Sequence, residues 1–317
     1  MARTQGIHHI TAITGDPQKN LDFYEGFLGQ RLVKRTVNFD DSRSYHFYFG
    51  DNSGTPGTLL TFFYFGKIRQ GVSGLGEVSR IAYNIRKQAK AYWMARAKEF
   101  GVPCLAKTNE FGEEFLELRD FDDIIIEFVL SDAAPTLPYW KESVVPEESS
   151  LLGFYGVSMT VVNTEEMKPA LEALGYEFER EAGMHTRFVA AGTYARVLDI
   201  VEAPDLPFAL QGTGSVHHIA FRMPTDAAEL SMREKIGALG IRPTPVIDRQ
   251  YFHSVYFMTP GKILFELATD RPGFAIDESP ETLGEKLVLP PQFEPYRTDI
   301  ASKLVPVELP RDRFHGR

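Results

Sequence analysis

Two stretches of the chain, GIHHITAIT (6–14) and SVHHIAFRM (215–223), alternate apolar and polar residues with the period of two that marks a half-buried strand. Each leads into a helical pattern, PQKNLDFYEGFLG or AAELSMREKIGALG, and then into three further apolar runs. After the first come RLVKRTVNF, SYHFYFG and GTLLTFFYF; after the second come IRPTPVI, YFHSVYFM and KILFELAT. Weaker copies occupy the middle of the chain. One runs VSRIAYNI, KQAKAYWMARAKEFG, FLELRD and IIIEFVL; the other runs GFYGVSMTVV, EEMKPALEALG, YEFERE, HTRFVAA and ARVLDIVEA. Starts near residues 6, 78, 153 and 215, with Gly29, Gly101, Gly175 and Gly240 closing the helices, predict four βαβββ modules and an α+β fold.

A helix covers one face of its module's sheet, so the modules are expected in pairs, each pair a curved half-barrel with a hollow interior. Residues 1–135 hold the first two modules and 151–270 the last two, with the Pro-, Ser- and charge-rich residues 136–150 as a linker. Residues 271–317 form a C-terminal extension with a weak helical signal at Arg297–Leu304. It reads equally as a lid, an oligomer contact or a solvated tail. A homo-oligomer is the expectation.

Composition narrows the setting. The 43% apolar and 24% charged residues are those of a globular protein. The net charge of −9 argues against a nucleic-acid partner, because neutralising phosphates takes clustered Lys and Arg. No apolar run reaches the length of a membrane helix, and the N-terminus lacks the apolar stretch of a signal peptide. With one cysteine, Cys104, no internal disulfide forms. A cytoplasmic protein acting on a small molecule is the expectation.

The chemistry lies in the histidines. Four of the eight form the dipeptides His8-His9 and His217-His218, at the same place in modules one and four. Alternation lets one ring of each pair face the interior; the small neighbours Thr11 and Ala220 favour His9 and His218. Aligning the Thr-Pro-Gly turns at 55–57 and 259–261 places Glu266 opposite Phe62. A carboxylate within an apolar strand is costly unless paired, protonated or bound to a cation. Two imidazoles and one carboxylate suit a divalent first-row metal and leave coordination positions open. Modules two and three carry Ser79-Arg80 and Phe154-Tyr155-Gly156 at the dipeptide position, so modules one and four are expected to build the site together. His46, His185 and His253 each stand three residues before an aromatic, a shared place that reads as structural.

At these residues the sequence resembles the vicinal oxygen chelate superfamily, and within it the hydroquinone-cleaving dioxygenases of the dichlorohydroquinone and methylhydroquinone type. The four modules, HHIT, VHHIAF and FELATD carry the likeness over nearly the whole chain. The resemblance implies Fe(II) on His9, His218 and Glu266, with Thr11, His217, Arg249 and Tyr256 around it. Mn(II) shares that ligand set, and Zn(II) can substitute without being the working ion. The implied reaction is ring cleavage of a hydroquinone- or catechol-like diol by O2. His217 would transfer a proton, Tyr256 hydrogen-bond an oxygen, Arg249 stabilise negative charge and His8 orient His9. Two other readings share the fold. A glyoxalase-like isomerase resembles a four-ligand site with a carboxylate from each half, where this chain has Phe62. A non-enzymatic binding module would need no metal ligands.

Overall fold

Module one of the computed structural model comprises β1 (Ile7–Ile13), α1 (Pro17–Leu21), β2 (Arg31–Asn38), β3 (Asp41–Gly50) and β4 (Leu59–Tyr64). Module two comprises β5 (Glu77–Arg86), α2 (Lys90–Phe100), β6 (Cys104–Thr108), β7 (Glu114–Arg119) and β8 (Ile125–Ser131). Module three comprises β9 (Phe154–Val161), α3 (Thr164–Leu174), β10 (Glu177–Ala182), β11 (His185–Val189) and β12 (Val197–Glu202). Module four comprises β13 (Val216–Met223), α4 (Asp226–Ala238), β14 (Ile247–Asp248), β15 (His253–Met258) and β16 (Leu264–Thr269). The structure describes residues 3–132 and 135–311; residues 133–134 of the first expected module pair and 312–317 of the extension lie outside the described residues.

Local chemistry starts and stops the helices. Asp16, Asn163 and Thr225 accept first-turn amide protons of α1, α3 and α4. Gly101 and Gly175 end α2 and α3 in the left-handed conformation, which carries no steric penalty for glycine. In module one the expected single helix is α-helical for five residues and then a π-helix over Asp22–Phe27. No helix among the described residues is long and apolar enough to cross a membrane.

Two eight-stranded sheets result, ordered β14-β15-β16-β13-β1-β4-β3-β2 and β10-β11-β12-β9-β5-β8-β7-β6. The first joins modules four and one, the second modules three and two. Paired modules are present, but partners in a sheet are not the chain-adjacent pairs expected from the split at 136–150. The first strands make the join: β1 with β13 and β5 with β9, both antiparallel. Helix faces such as Met167–Leu171–Leu174 and Met232–Ile236 enter the main core, which runs through both sheets.

Three further expectations change. The IRPTPVI run gives only the two-residue strand β14, because Pro243 and Pro245 offer no amide proton to a ladder. Strand β6, exposed along most of its length, has no apolar alternation to announce it. The extension is a strap packed on module one: Lys34 Nζ donates to Asp277 at 2.6 Å, Arg31 Nη2 to the Glu281 carbonyl at 2.7 Å, and Arg311 Nη2 to Glu25 at 2.9 Å. Its helix α5 spans Arg297–Lys303.

Glu229 shares the buried stripe of α4 with Met232 and Ile236, and neither of its oxygens has a hydrogen-bond partner among the described residues. Burial pushes its carboxyl up to about 7. A raised carboxyl favours the folded state at low pH, and that contribution disappears as pH rises from the unfolded value of 4.5 to about 7. Glu229→Met should therefore gain about 1–3 kcal/mol over wild type at pH 8 and clearly less at pH 4.5, read from denaturant melts at both values.

Candidate metal centre

The seam between β1 and β13 carries both histidine dipeptides. Thr11 pairs with His218, Ile10 with Ile219 and His9 with Ala220. At each end of this stretch the register slips, leaving His8 as the extra residue between Ile7 and His9, and His217 between Val216 and His218. A bulge re-aims side chains that strict alternation would send to opposite faces. Both rings of each dipeptide therefore meet: His8 Nδ1 lies 3.0 Å from His9 Nδ1, and His217 Nδ1 lies 2.7 Å from His218 Nδ1.

Glu266 stands on β16 beside Ala220. Its Oε2 lies 2.9 Å from His218 Nε2 and 3.3 Å from His9 Nε2, and the two Nε2 atoms are 3.3 Å apart. All three residues are buried, and they form a possible metal-holding group among the described residues. Ser254 Oγ donates to Glu266 Oε1 at 2.5 Å, whereas Oε2 has no hydrogen-bond partner among the described residues. Burial alone would push this carboxyl up; the adjoining His9 and His218 outweigh it and hold it well below the usual range. Burial pushes His218 down, so its ring is neutral beside an ionised carboxylate. The donor set fits a divalent cation. Ligand atoms bonded at about 2.1 Å and at right angles around one ion stand about 3 Å apart. The neighbouring histidine engages Nδ1 of His9 and of His218, so Nε2 is the atom each ring could offer to an ion.

A cavity of about 250 Å³ opens on His9 and His218 and is lined by Thr11, His217, Arg249 and Tyr256. Arg249 Nε donates to the Tyr256 hydroxyl at 3.3 Å, and its Nη1 donates to Asp40 at 3.0 Å. Phe39, Phe63, Phe65, Phe252 and Leu264 supply apolar wall. His8 is buried behind the ligands with its ring edge-on to Phe252. Burial, helped by His218, pushes His217 down to about 3, so its ring is neutral at pH 7.

Two assignments need correction. The ladders place Thr61, not Phe62, at the position of Glu266, because Thr61 pairs with Thr11 as Glu266 pairs with Ala220. One more residue separates Gly261 from Glu266 than Gly57 from Thr61, and one residue inverts the facing of a strand. Phe62 accordingly packs in the core against Tyr24. His46 is the second: it lines the cavity, whereas His253 bonds Asp226 and His185 faces Glu110. The signal was available in the alternation of SYHFYFG, which sets His46 and Tyr48 on one face and Tyr45, Phe47 and Phe49 on the core face.

The family model described as the glyoxalase/bleomycin resistance protein/dioxygenase superfamily matches residues 6–277. The chain belongs to this superfamily. Within it, the chain is 43% identical to Bacillus subtilis MhqO, named a ring-cleaving dioxygenase, over 97% of this chain and 98% of that protein. It is 34% identical to the chlorohydroquinone/hydroquinone 1,2-dioxygenase of Sphingobium indicum, over 94% and 95% of the two chains. The crystal structure of a Bacillus subtilis protein assigned as a dioxygenase superposes with a TM-score of 0.91 at 42% identity, covering 98% of this chain and 99% of that one.

If these three residues hold a divalent metal, loss of any one should abolish stoichiometric binding, so His218→Ala and Glu266→Ala are expected to bind none by metal analysis. His8→Phe should retain the ion with affinity reduced about 10- to 100-fold, measured by competition with a chelator. Full occupancy in His218→Ala would count against this ligand set.

Proposed function

We propose that the protein is a non-haem Fe(II) dioxygenase that opens the ring of a hydroquinone- or catechol-like diol, with both atoms of O2 entering the product. The convergence of His9, His218 and Glu266 beside an aromatic-walled cavity carries this reading. Relatives named for ring cleavage and for hydroquinone, similar over nearly the whole chain, support the substrate class. Bound to these three residues, Fe(II) would supply Lewis acidity toward a phenolic oxygen and open positions for the diol and O2.

The chain's own residues hold the ring and its oxygens. Phe39, Phe63 and Phe252 offer faces and edges for an aromatic ring. Burial, with the charge of Glu266, raises the Tyr256 phenol above its ordinary value, so it keeps its proton and donates to a substrate oxygen. Arg249, anchored by Asp40, holds positive charge where the diol loses a proton. Neutral His217, its Nδ1 engaged by His218, has Nε2 as its remaining polar atom for a substrate hydroxyl. A four-ligand isomerase site is disfavoured by Thr61, whose hydroxyl is occupied by Thr11 and His46.

Protein loaded anaerobically with Fe(II) should consume one O2 per diol from a panel of hydroquinones and catechols, with loss of aromatic absorbance. Zn(II)-loaded or chelator-stripped protein should be inactive. Turnover without oxygen would sink the oxygenase reading. Tyr256→Phe should lower kcat/KM about tenfold while leaving iron content unchanged, the loss of one hydrogen bond to developing charge.

A further inference from the structure

A chain of hydrogen bonds leads from the buried side of the cavity to Thr11. The Tyr48 hydroxyl lies 2.9 Å from His46 Nδ1, His46 Nε2 lies 2.9 Å from Thr61 Oγ1, and Thr61 Oγ1 lies 2.8 Å from Thr11 Oγ1. All four residues are buried, and Thr11, His46 and Tyr48 line the cavity. No ligand of the candidate metal centre belongs to the chain.

Its polarity follows from counting donors. Burial pushes His46 well below its ordinary pKa, so the ring is neutral, with one N–H and one lone pair. Burial raises the Tyr48 phenol, which keeps its proton. Among the described residues, His46 Nδ1 is the hydrogen-bond partner of that phenol. Were Nδ1 the protonated nitrogen, the phenol would have to accept from the imidazole, although a phenol is the better donor and a bare imidazole nitrogen the better acceptor of the two. Tyr48 therefore donates to Nδ1, and the His46 proton sits on Nε2. Nε2–H donates to Thr61, and Thr61 in turn donates to Thr11, because accepting from both neighbours would leave its own proton without either of them. Thr11, already accepting, has its own proton left for the cavity.

We infer that His46, held in one tautomer by Tyr48, is a positioning residue that makes the Thr11 hydroxyl a hydrogen-bond donor to an oxygen of the bound substrate. Resting on the dioxygenase reading, this assigns a function to three residues, His46, Tyr48 and Thr61, none of which is a candidate metal ligand. With the opposite tautomer every bond reverses, and Thr11 would present a lone pair, repelling the same oxygen.

Two measurements test it. In histidine-¹⁵N-labelled, Zn(II)-loaded protein, two-bond ¹H–¹⁵N correlations, assigned by their loss in His46→Gln, should show His46 protonated at Nε2. Tyr48→Phe, which removes only the locking hydroxyl, should populate the Nδ1–H form. In the Fe(II) enzyme Tyr48→Phe should lower kcat/KM about threefold to tenfold. In a Thr11→Val background the same change should have an effect below about twofold, because the wire then has no end. An Nδ1–H ring in the wild type, or a Tyr48→Phe effect undiminished by Thr11→Val, overturns the inference. If wild-type protein takes up no oxygen with any diol, the functional reading fails and takes the substrate-facing role of Thr11 with it. The tautomer then still decides the direction of the wire.

Discussion

A fully buried carboxylate, Glu266, sits in the middle of an apolar strand with one oxygen that has no hydrogen-bond partner among the described residues. An ionised group taken out of water is several kcal/mol unfavourable unless opposite charge or donors replace the hydration. Ser254 meets one oxygen, and His9 and His218 approach the other. Those imidazoles come from residues more than two hundred positions apart, so the compensation exists only when β1 and β13 are paired. The paired bulges at His8 and His217 then turn the rings together and leave a neighbouring histidine to fix each ligand's free nitrogen.

The second sheet shows what the same construction becomes with other side chains. Its seam repeats the bulges, with Ser79 and Tyr155 as the extra residues. Arg80 stands where His218 does, and its Nη1 donates to Glu127, the counterpart of Glu266, at 2.8 Å. The guanidinium supplies permanent positive charge and needs no ion. Gly156 occupies the place of His9, and a Cβ there would lie 2.0 Å from the Val197 carbonyl oxygen, so no imidazole could be restored without moving backbone. On the neighbouring strands, Arg187 bonds Asp199 and Glu113, completing an ion-paired interior. One sheet meets its carboxylate with a guanidinium, and the other meets it with two imidazoles.

The C-terminal strap belongs to the same economy. Phe274 stacks against Tyr48 and Tyr251, and with Leu283 it closes a small apolar cluster on the site side of the first sheet. Lys34, fully buried, is tied to Asp277 and Glu278 of the strap. Tyr48 is thus backed from outside the modules, which keeps its hydroxyl on His46. Residues after the last strand in this way support a wall of the cavity that the strands alone leave unbacked.

Much of this was readable in the linear chain because it is local. Period-two and helical alternation count the modules, glycines and capping residues bound the helices, and a carboxylate in an apolar run announces that something must neutralise it. The matching dipeptides identified modules one and four, and nothing beyond residue type was needed to see that His9, His218 and Glu266 suit a divalent ion. Pairing and register are different in kind. They are set by backbone hydrogen bonds between distant strands, and a single residue gained in a turn inverts a strand's facing. That is why turn alignment gave Phe62 and the folded ladder gives Thr61, why His46 passed for scaffolding until β3 was placed against β4, and why the strap's docking on module one left no periodic trace. The chain's chemistry was written in its residues, while the meeting of its two ends was decided by the sheet.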